Sequence, residues 1–325
     1  MDNIELAYRK AKLNKTNRNE VQIVERDKEN MLKEIQNMLI NHTFTTSPYR
    51  TKEIFEPKRR LIYILPFYPD RIVHHCCLNI LIPIWEKLMI KDSYSCRKGK
   101  GPHAGSMRTM EFVVRNKYCW QGDVRHFYPS IVHDKMYSII CSIFKDPDVL
   151  WILKDIIYSI PGGKNCPIGN SVSQWFGNLY LTMLDRLIKY KFGIHDYIRY
   201  CDDFLIFGND KYKLKNIGHE VENFLNNELF LELRKKSLYK TRQGVDFLGY
   251  RHFPDRKILV RKSTSKRMKK AIRAIPYLYE NGFITAKQAL SKVSAIKGWI
   301  KHANTHNFKI SLNLDCVEEK VRTYQ

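Results

Sequence analysis

Acidic residues are scarce in this sequence. Its 325 residues hold 33 Asp and Glu against 56 Lys and Arg, a formal charge of +23. That excess argues for a polyanionic partner, because each Lys or Arg set on a phosphate releases condensed counterions. Charge alone leaves nucleic acid and an acidic membrane surface both open. Long apolar runs are missing as well. The most apolar stretch, Ile72 to Ile90, is broken by His74, His75, Asn79, Pro83, Glu86 and Lys87. A lipid span needs about 20 mostly apolar residues without such costs. The opening Met1-Asp2-Asn3-Ile4-Glu5 lacks the basic-then-apolar order of a signal peptide. No membrane partner and a cytoplasmic location are therefore expected. The eight cysteines are scattered and show no paired zinc-ligand spacing. His74-His75-Cys76-Cys77 lies in an apolar helical pattern whose neighbours point in different directions, which favours core cysteines over a metal site.

What is present is a folded composition, 44% apolar and 27% charged, with changes of hydrophobic period along the chain. Residues 28–40 read as a helix, and residues 53–66 as two short strands around a basic turn. A long helix is expected from about Asp70 to Met89, kinked or divided at Pro83. Residues 117–123 form an extended run ending at Asp123, and a helix carrying Met136, Ile139 and Ile140 follows. Another helix is expected from about Ser171 to Tyr190. Tyr197–Tyr200 and Phe204–Phe207 read as a hairpin with Asp202 and Asp203 near its tip. An amphipathic helix (Leu214, Ile217, Val221, Leu225) and a strand pair near 231–253 follow. Strands mixed with helices without strict alternation predict an α+β, palm-like layer. From Arg256 to Arg273 nine Lys or Arg occur with no acid between them. This marks a basic helical lobe at 256–325, set off from residues 1–255.

Asp202 and Asp203 are adjacent acids flanked by core-type residues. Crowded carboxylates repel, and a divalent cation removes the conflict. Hard oxygen ligands suit Mg²⁺, with Mn²⁺ the alternative. Asp123, at the end of another strand, would bring a third carboxylate. Three carboxylates on adjacent strands fit a two-metal site about 4 Å across, with the Val124 carbonyl as a further ligand. Taken alone, the Asp pair is equally a hairpin turn, where Asp is common.

The surrounding blocks resolve that ambiguity. Tyr200-Cys201-Asp202-Asp203 resembles the YxDD motif of reverse transcriptases, and Asp123 to Ile131 resembles their first acidic motif. Glu56-Pro57-Lys58-Arg59-Arg60-Leu61-Ile62 looks like the basic fingers block, and Asp70-Arg71-Ile72-Val73 like the start of the helix after it. Phe247-Leu248-Gly249-Tyr250 looks like the primer-grip hairpin. The resemblance implies a right-hand polymerase fold, with fingers and palm in 1–255 and a helical thumb in 256–325. It implies an RNA-directed DNA polymerase in which Asp123, Asp202 and Asp203 are catalytic. Lys58, Arg60, Tyr128, Ile168, Gly169 and Gln174 would meet the deoxynucleoside triphosphate, with Tyr128 a steric gate against a ribose 2′-hydroxyl or else a core tyrosine. Tyr200, Cys201, the 247–250 turn, Arg261, Lys262, Lys266 and Arg267 would meet primer or template. Arg71, Arg97 and His103 are further candidates for template backbone, and Lys235 and Lys236 for a proton donor to pyrophosphate.

One departure narrows the resemblance. Where reverse transcriptases commonly carry Gln-Gly-x-x-x-Ser-Pro, this chain has Ile168-Gly169-Asn170-Ser171-Val172-Ser173-Gln174. That form, and the tail Gly298-Trp299-Ile300-Lys301-His302-Ala303-Asn304-Thr305-His306-Asn307, resemble the reverse transcriptases of diversity-generating retroelements. Those bacterial and phage enzymes copy a template-repeat RNA into cDNA, misincorporate mainly opposite adenine, and work with a small, basic, helical, oligomeric accessory protein. Two alternatives stay open: a retron-type or phage-defence enzyme of ordinary fidelity, and a basic RNA-binding scaffold with a vestigial site.

Overall fold

A computed structural model describes residues 1–55 and 59–323 of the chain. Helices α1 (Asp2–Lys12), α2 (Asn19–Arg26) and α3 (Lys28–Ile40) come first, then the hairpin β1 (Arg50–Ile54) and β2 (Arg60–Ile64). The two strands pair antiparallel from Arg50↔Ile64 to Ile54↔Arg60. Glu56, Pro57 and Lys58 of the expected basic turn lie outside the described residues. Helix α4 (Ile72–Leu88) packs on α1 and runs unbroken through Pro83, neither divided there nor restarted. Pro83 sits on the exposed face, with Ile80 and Ile84, where the carbonyl that loses its bond can meet water. Cys76 and His74 are both buried, as a core reading of that cluster requires.

Next come α5 (Pro102–Arg115), β3 (Tyr118–Val124), α6 (Phe127–Ser130), α7 (His133–Ile143) and α8 (Pro147–Tyr158). The helix expected from Ser171 to Tyr190 is interrupted. It divides into α9 (Ser171–Tyr180) and α10 (Thr182–Arg186), and a wider turn covers Leu187–Lys191. Thr182 explains the break, since its hydroxyl donates to the Leu179 carbonyl at 2.6 Å and competes with the helical ladder.

Strands β4 (Tyr197–Tyr200) and β5 (Asp203–Gly208), helix α11 (Lys211–Glu228) and strand β6 (Leu233–Lys240) complete the central layer. Its four-stranded antiparallel sheet has the order β4-β5-β3-β6. The strand pair expected near 231–253 is therefore corrected. β6 joins β3 in the central sheet, and β7 (Val245–Phe247) pairs with β8 (Tyr250–His252), which in turn pairs with β9 (Ile258–Val260). Helix α11 lies close against β3 because it carries Gly218. A Cβ there would fall 2.2 Å from Trp120 Nε1.

The chain ends in α12 (Lys262–Glu280), α13 (Ala286–Lys301), α14 (His306–Leu312) and α15 (Leu314–Thr323). These helices bury their own cluster, including Ile272, Ile275, Val293, Ile300 and Val321, apart from the main core around α4, α9 and the sheet. Among the described residues no helix is long and apolar enough to cross a membrane.

Candidate active site

Strand register brings the acids together. Asp123, at the end of β3, lies directly opposite Asp203, the first residue of β5. Directly opposed residues of an antiparallel pair present their side chains on the same face. Tyr200 pairs with Asp203, so Cys201 and Asp202 form a two-residue turn. Cys201 takes φ +56°, the left-handed region such hairpin turns demand. The Val124 amide donates to the Asp202 carbonyl at 3.3 Å and fixes the turn against β3.

The turn is also held from below. Arg199 and Asp185 are both fully buried, and the guanidinium meets the carboxylate twice, at 2.8 and 2.6 Å. Burial alone would lower the Arg199 pKa, and the Asp185 carboxylate more than reverses that. Arg199 Nη1 also donates to the Cys201 carbonyl at 3.1 Å. Tyr197 donates to Asp185 at 2.7 Å. The residues beneath the turn thus form one satisfied polar network, which rigidifies its surroundings.

Electrostatically the site is uneasy without a cation. Burial pushes the Asp203 carboxyl up to about 7, and the charges of Asp123 and Asp202 add to the rise. Burial raises Asp202 as well, with Asp123 contributing. Gln121 opposes this at Asp203 by donating to Oδ1 at 3.3 Å. Asp123 is engaged elsewhere, because Arg234 Nη2 closes on its Oδ2. Among the described residues no three His, Cys, Asp or Glu side chains close on a common point as a ready metal site does. The donor chemistry nevertheless fits a hard divalent cation, with carboxylate oxygens crowded at two adjacent strand ends and mutual repulsion to relieve.

The other expected residues are distributed around this centre. Tyr128 is half-buried, with its hydroxyl 3.3 Å from Cys201 Sγ, and desolvation raises its pKa. Its ring lies against α9 at Gly177, where a Cβ would meet Tyr128 Cε1 at 3.0 Å. The Ile168 carbonyl accepts from Tyr63 N at 2.7 Å, tying this segment to β2. Gly169 has φ +125°, and a Cβ there would fall 2.4 Å from the Tyr63 carbonyl, so the position requires glycine. Gln174 is exposed on α9 and accepts from Cys96 Sγ at 3.4 Å. Arg60 is exposed at the start of β2, while Lys58 lies outside the described residues.

Several candidates need correction. Phe247 and Tyr250 are fully buried, so direct contact with a strand at this turn falls to Leu248 and Gly249. Leu248 and Gly249 both take positive φ, at +54° and +85°. Arg261 is engaged by Asp246 on β7, with Nε to Oδ1 at 2.6 Å. Buried Thr264, Met268, Ile272 and Ile275 put Lys262, Lys266, Lys270 and Arg273 on the opposite side of α12, with the half-buried Lys269 at the edge over the Phe308 ring. Arg267 falls on the flank of that stripe, and Lys266, Lys269, Lys270 and Arg273 line an open cleft. Arg97 is taken up locally by Glu86 and the Ile90 and Ser93 carbonyls. Arg71 donates to the Leu65 carbonyl. His103 faces the C-terminal helices, 3.0 Å from the Tyr250 hydroxyl and stacked on His302. Lys236 is paired with Glu222 at 2.6 Å, whereas Lys235, opposite Asp123, reaches Gln121 at 3.2 Å.

Gln121, Arg199 and Arg234 were not anticipated. Strand alternation puts Gln121 on the same face as Asp123, two residues on, so period two was a usable signal. Nothing local marks Arg199 or Arg234, because their partners lie 14 and 111 residues away.

Two strand ends that gather carboxylates, within an antiparallel sheet backed by helices, describe the palm of a right-hand polymerase. The chain matches the reverse transcriptase (RNA-dependent DNA polymerase) family over residues 28–252, and it belongs to that family. Its α+β architecture is the right-hand polymerase fold. Among curated relatives, an uncharacterized 91 kDa protein in the cob intron of Schizosaccharomyces pombe is 26% identical over 132 residues, 37% of this chain and 16% of that protein. Protein YkfC of Escherichia coli K12 is 22% identical over 284 residues, 73% of this chain and 72% of its own length. The apo telomerase of Candida tropicalis superposes with a TM-score of 0.52 at 12% identity, covering 86% of this chain and 58% of that one. Telomerase from Candida albicans, solved with a fragment of telomeric RNA, gives 0.50 at 10% identity and covers 83% and 55%. At such identity the telomerases bear on fold alone. This chain spans little more than half their length and a sixth of the intron protein.

Proposed function

We propose that this chain is the reverse transcriptase of a diversity-generating retroelement, copying a template-repeat RNA into cDNA with misincorporation opposite adenine. The family's activity is RNA-directed DNA polymerisation, and reverse transcriptases use divalent metal ions. Here Asp123, Asp202, Asp203 and the Val124 carbonyl would hold Mg²⁺, or Mn²⁺ in its place. When bound, such ions supply Lewis acidity for activating a primer 3′-hydroxyl and for stabilising the departing pyrophosphate. The protein's own part is positional. Arg199 and Asp185 hold the Cys201-Asp202 turn rigid, and Gln121 orients Asp203. Tyr128, beside Cys201, would restrict the sugar, and Arg60 and Lys58 would be the cations for the triphosphate. The stripe of α12 from Lys262 to Arg273 would follow the template-primer backbone, making residues 256–325 a thumb beside the fingers and palm of 1–255. An accessory protein of small, basic, helical character completes the reading.

The single observation that carries the mutagenic reading is Ile168 in a segment clamped to β2. The backbone bond to Tyr63 and the close approach at Gly169 leave this position little freedom. A hydrocarbon fixed there in place of an amide removes a directional contact and leaves shape to discriminate. Apolar shape selection contributes only about 1–3 kcal/mol. Sequencing cDNA made from a defined RNA tests this. The wild type should err far more often at template adenine, and Ile168→Gln or Ile168→Asn should restore part of the discrimination at unchanged melting temperature. Equal error at all four template bases would leave a retron-type enzyme of ordinary fidelity.

A further inference from the structure

Strand β6 changes register against β3 where the carboxylates gather. Asp123 lies opposite Lys235, but Val124 lies opposite Leu233. Arg234 is therefore the extra residue of a β-bulge, a device that re-aims a side chain at a strand end. In an unbroken ladder Asp123 and Lys235 would share one face and Arg234 would point to the other. The bulge turns Arg234 back, and its guanidinium meets the Asp123 carboxylate. The Arg234 side chain is about half exposed, whereas the Asp123 side chain it covers is 13% exposed. Neighbouring Lys235 and Lys236 do not share this role, since they reach Gln121 and Glu222.

Arg234 thus sits on a carboxylate that a divalent cation would also claim. We propose that Arg234 is a built-in counter-cation that covers Asp123 before catalysis, competes with the metal for it, and yields it when a nucleotide triphosphate offers the guanidinium another anion. Arginine suits the exchange, because its planar fork matches carboxylate and phosphate alike. Metal and nucleotide then bind cooperatively, each removing an obstacle to the other, and linkage makes the effect reciprocal. The proposal rests on the reading of Asp123 as a metal ligand.

Mn²⁺ binding to the full chain, followed by electron paramagnetic resonance, tests it without any turnover. In the absence of nucleotide, Arg234→Gln should bind Mn²⁺ on the order of threefold more tightly than wild type, the range of a partly exposed ion pair. A deoxynucleoside triphosphate analogue with an unreactive α–β bridge should raise Mn²⁺ affinity in wild type, and raise it less in Arg234→Gln. Circular dichroism in EDTA checks that the variant is folded. Equal Mn²⁺ affinity in the two proteins, or an equal nucleotide effect, overturns the proposal. The wild-type arm stands without any variant, because nucleotide that leaves its Mn²⁺ affinity unchanged also overturns it. Asp123→Asn distinguishes the other failure. If it binds Mn²⁺ as well as wild type, Asp123 is no metal ligand and the underlying reading falls too.

Discussion

Two arginine–aspartate pairs flank the same hairpin, and they differ in almost everything but composition. Arg199 and Asp185 lie beneath the turn with no exposed side-chain surface, joined by two hydrogen bonds, with Asn178 and the Cys201 carbonyl taking other donors. Arg234 and Asp123 lie on the upper face, and the Arg234 side chain is half exposed. Removing one member of the lower pair strands a buried charge, so that pair cannot exchange partners. The upper pair is cheap to open, because one of its two side chains is already half in water. The same two residue types thus serve as scaffold below the sheet and as a replaceable contact above it.

The largest expected effect breaks the lower pair. Asp185→Asn or Arg199→Leu should destabilise the fold by about 3–5 kcal/mol, and should also lower activity in the protein that stays folded, because the Cys201-Asp202 turn loses its support. Urea titration reads this, and a variant of wild-type stability would show the pair to be ornamental. Acidification comes next. Burial lowers His74 to about 3 and His75 and His252 to about 4, from 6.5. The unfolded chain therefore binds protons that the folded chain refuses between pH 6.5 and about 4. The part of the stability that these histidines control should be held above pH 6.5 and lost as pH falls through that window, while the raised Asp203 carboxyl works in the opposite direction. His252 bonds Ser106 Oγ at 2.7 Å and the Val245 carbonyl at 3.1 Å, and His252→Gln should flatten part of the acid slope in a melting series.

Beside the turn, Tyr128→Ala should raise ribonucleotide relative to deoxyribonucleotide incorporation by roughly tenfold. An unchanged ratio in single-nucleotide extension would assign Tyr128 to packing against Gly177 and Cys201. The smallest effects belong to α12. Each of Lys262, Lys266, Lys269, Lys270 and Arg273 changed to Gln should cut the salt slope of template-primer binding by about 0.9 if it meets a duplex phosphate. Arg261→Gln should change it less, since Asp246 already holds that guanidinium. Equal slopes for all six would erase the distinction.

The sequence disclosed the upper face better than what supports it. Asp202 and Asp203 stand out because two β-branched and aromatic runs bracket them, and Asp123 because an extended run ends there. Local pattern was enough for both. The Arg234 bulge was not legible, because a register slip depends on the partner strand, and β6 is more than 100 residues from β3. The same reason hid β6 as a sheet neighbour of β3. Thr182 broke a helix that apolar spacing alone had continued, because spacing does not weigh a hydroxyl competing for a carbonyl. Pro83 did not divide its helix, and its exposure, which lets water take up the freed carbonyl, is a tertiary fact. Composition marked 256–273 as basic, yet which cations are free depended on Asp246.

Primer extension by Asp202→Asn tests the central claim most directly, set beside its circular dichroism spectrum and urea midpoint. The account predicts incorporation reduced to background in a protein folded as well as wild type, because a neutral amide is a poor ligand for a hard divalent cation. Near-normal extension by a folded Asp202→Asn protein would contradict it.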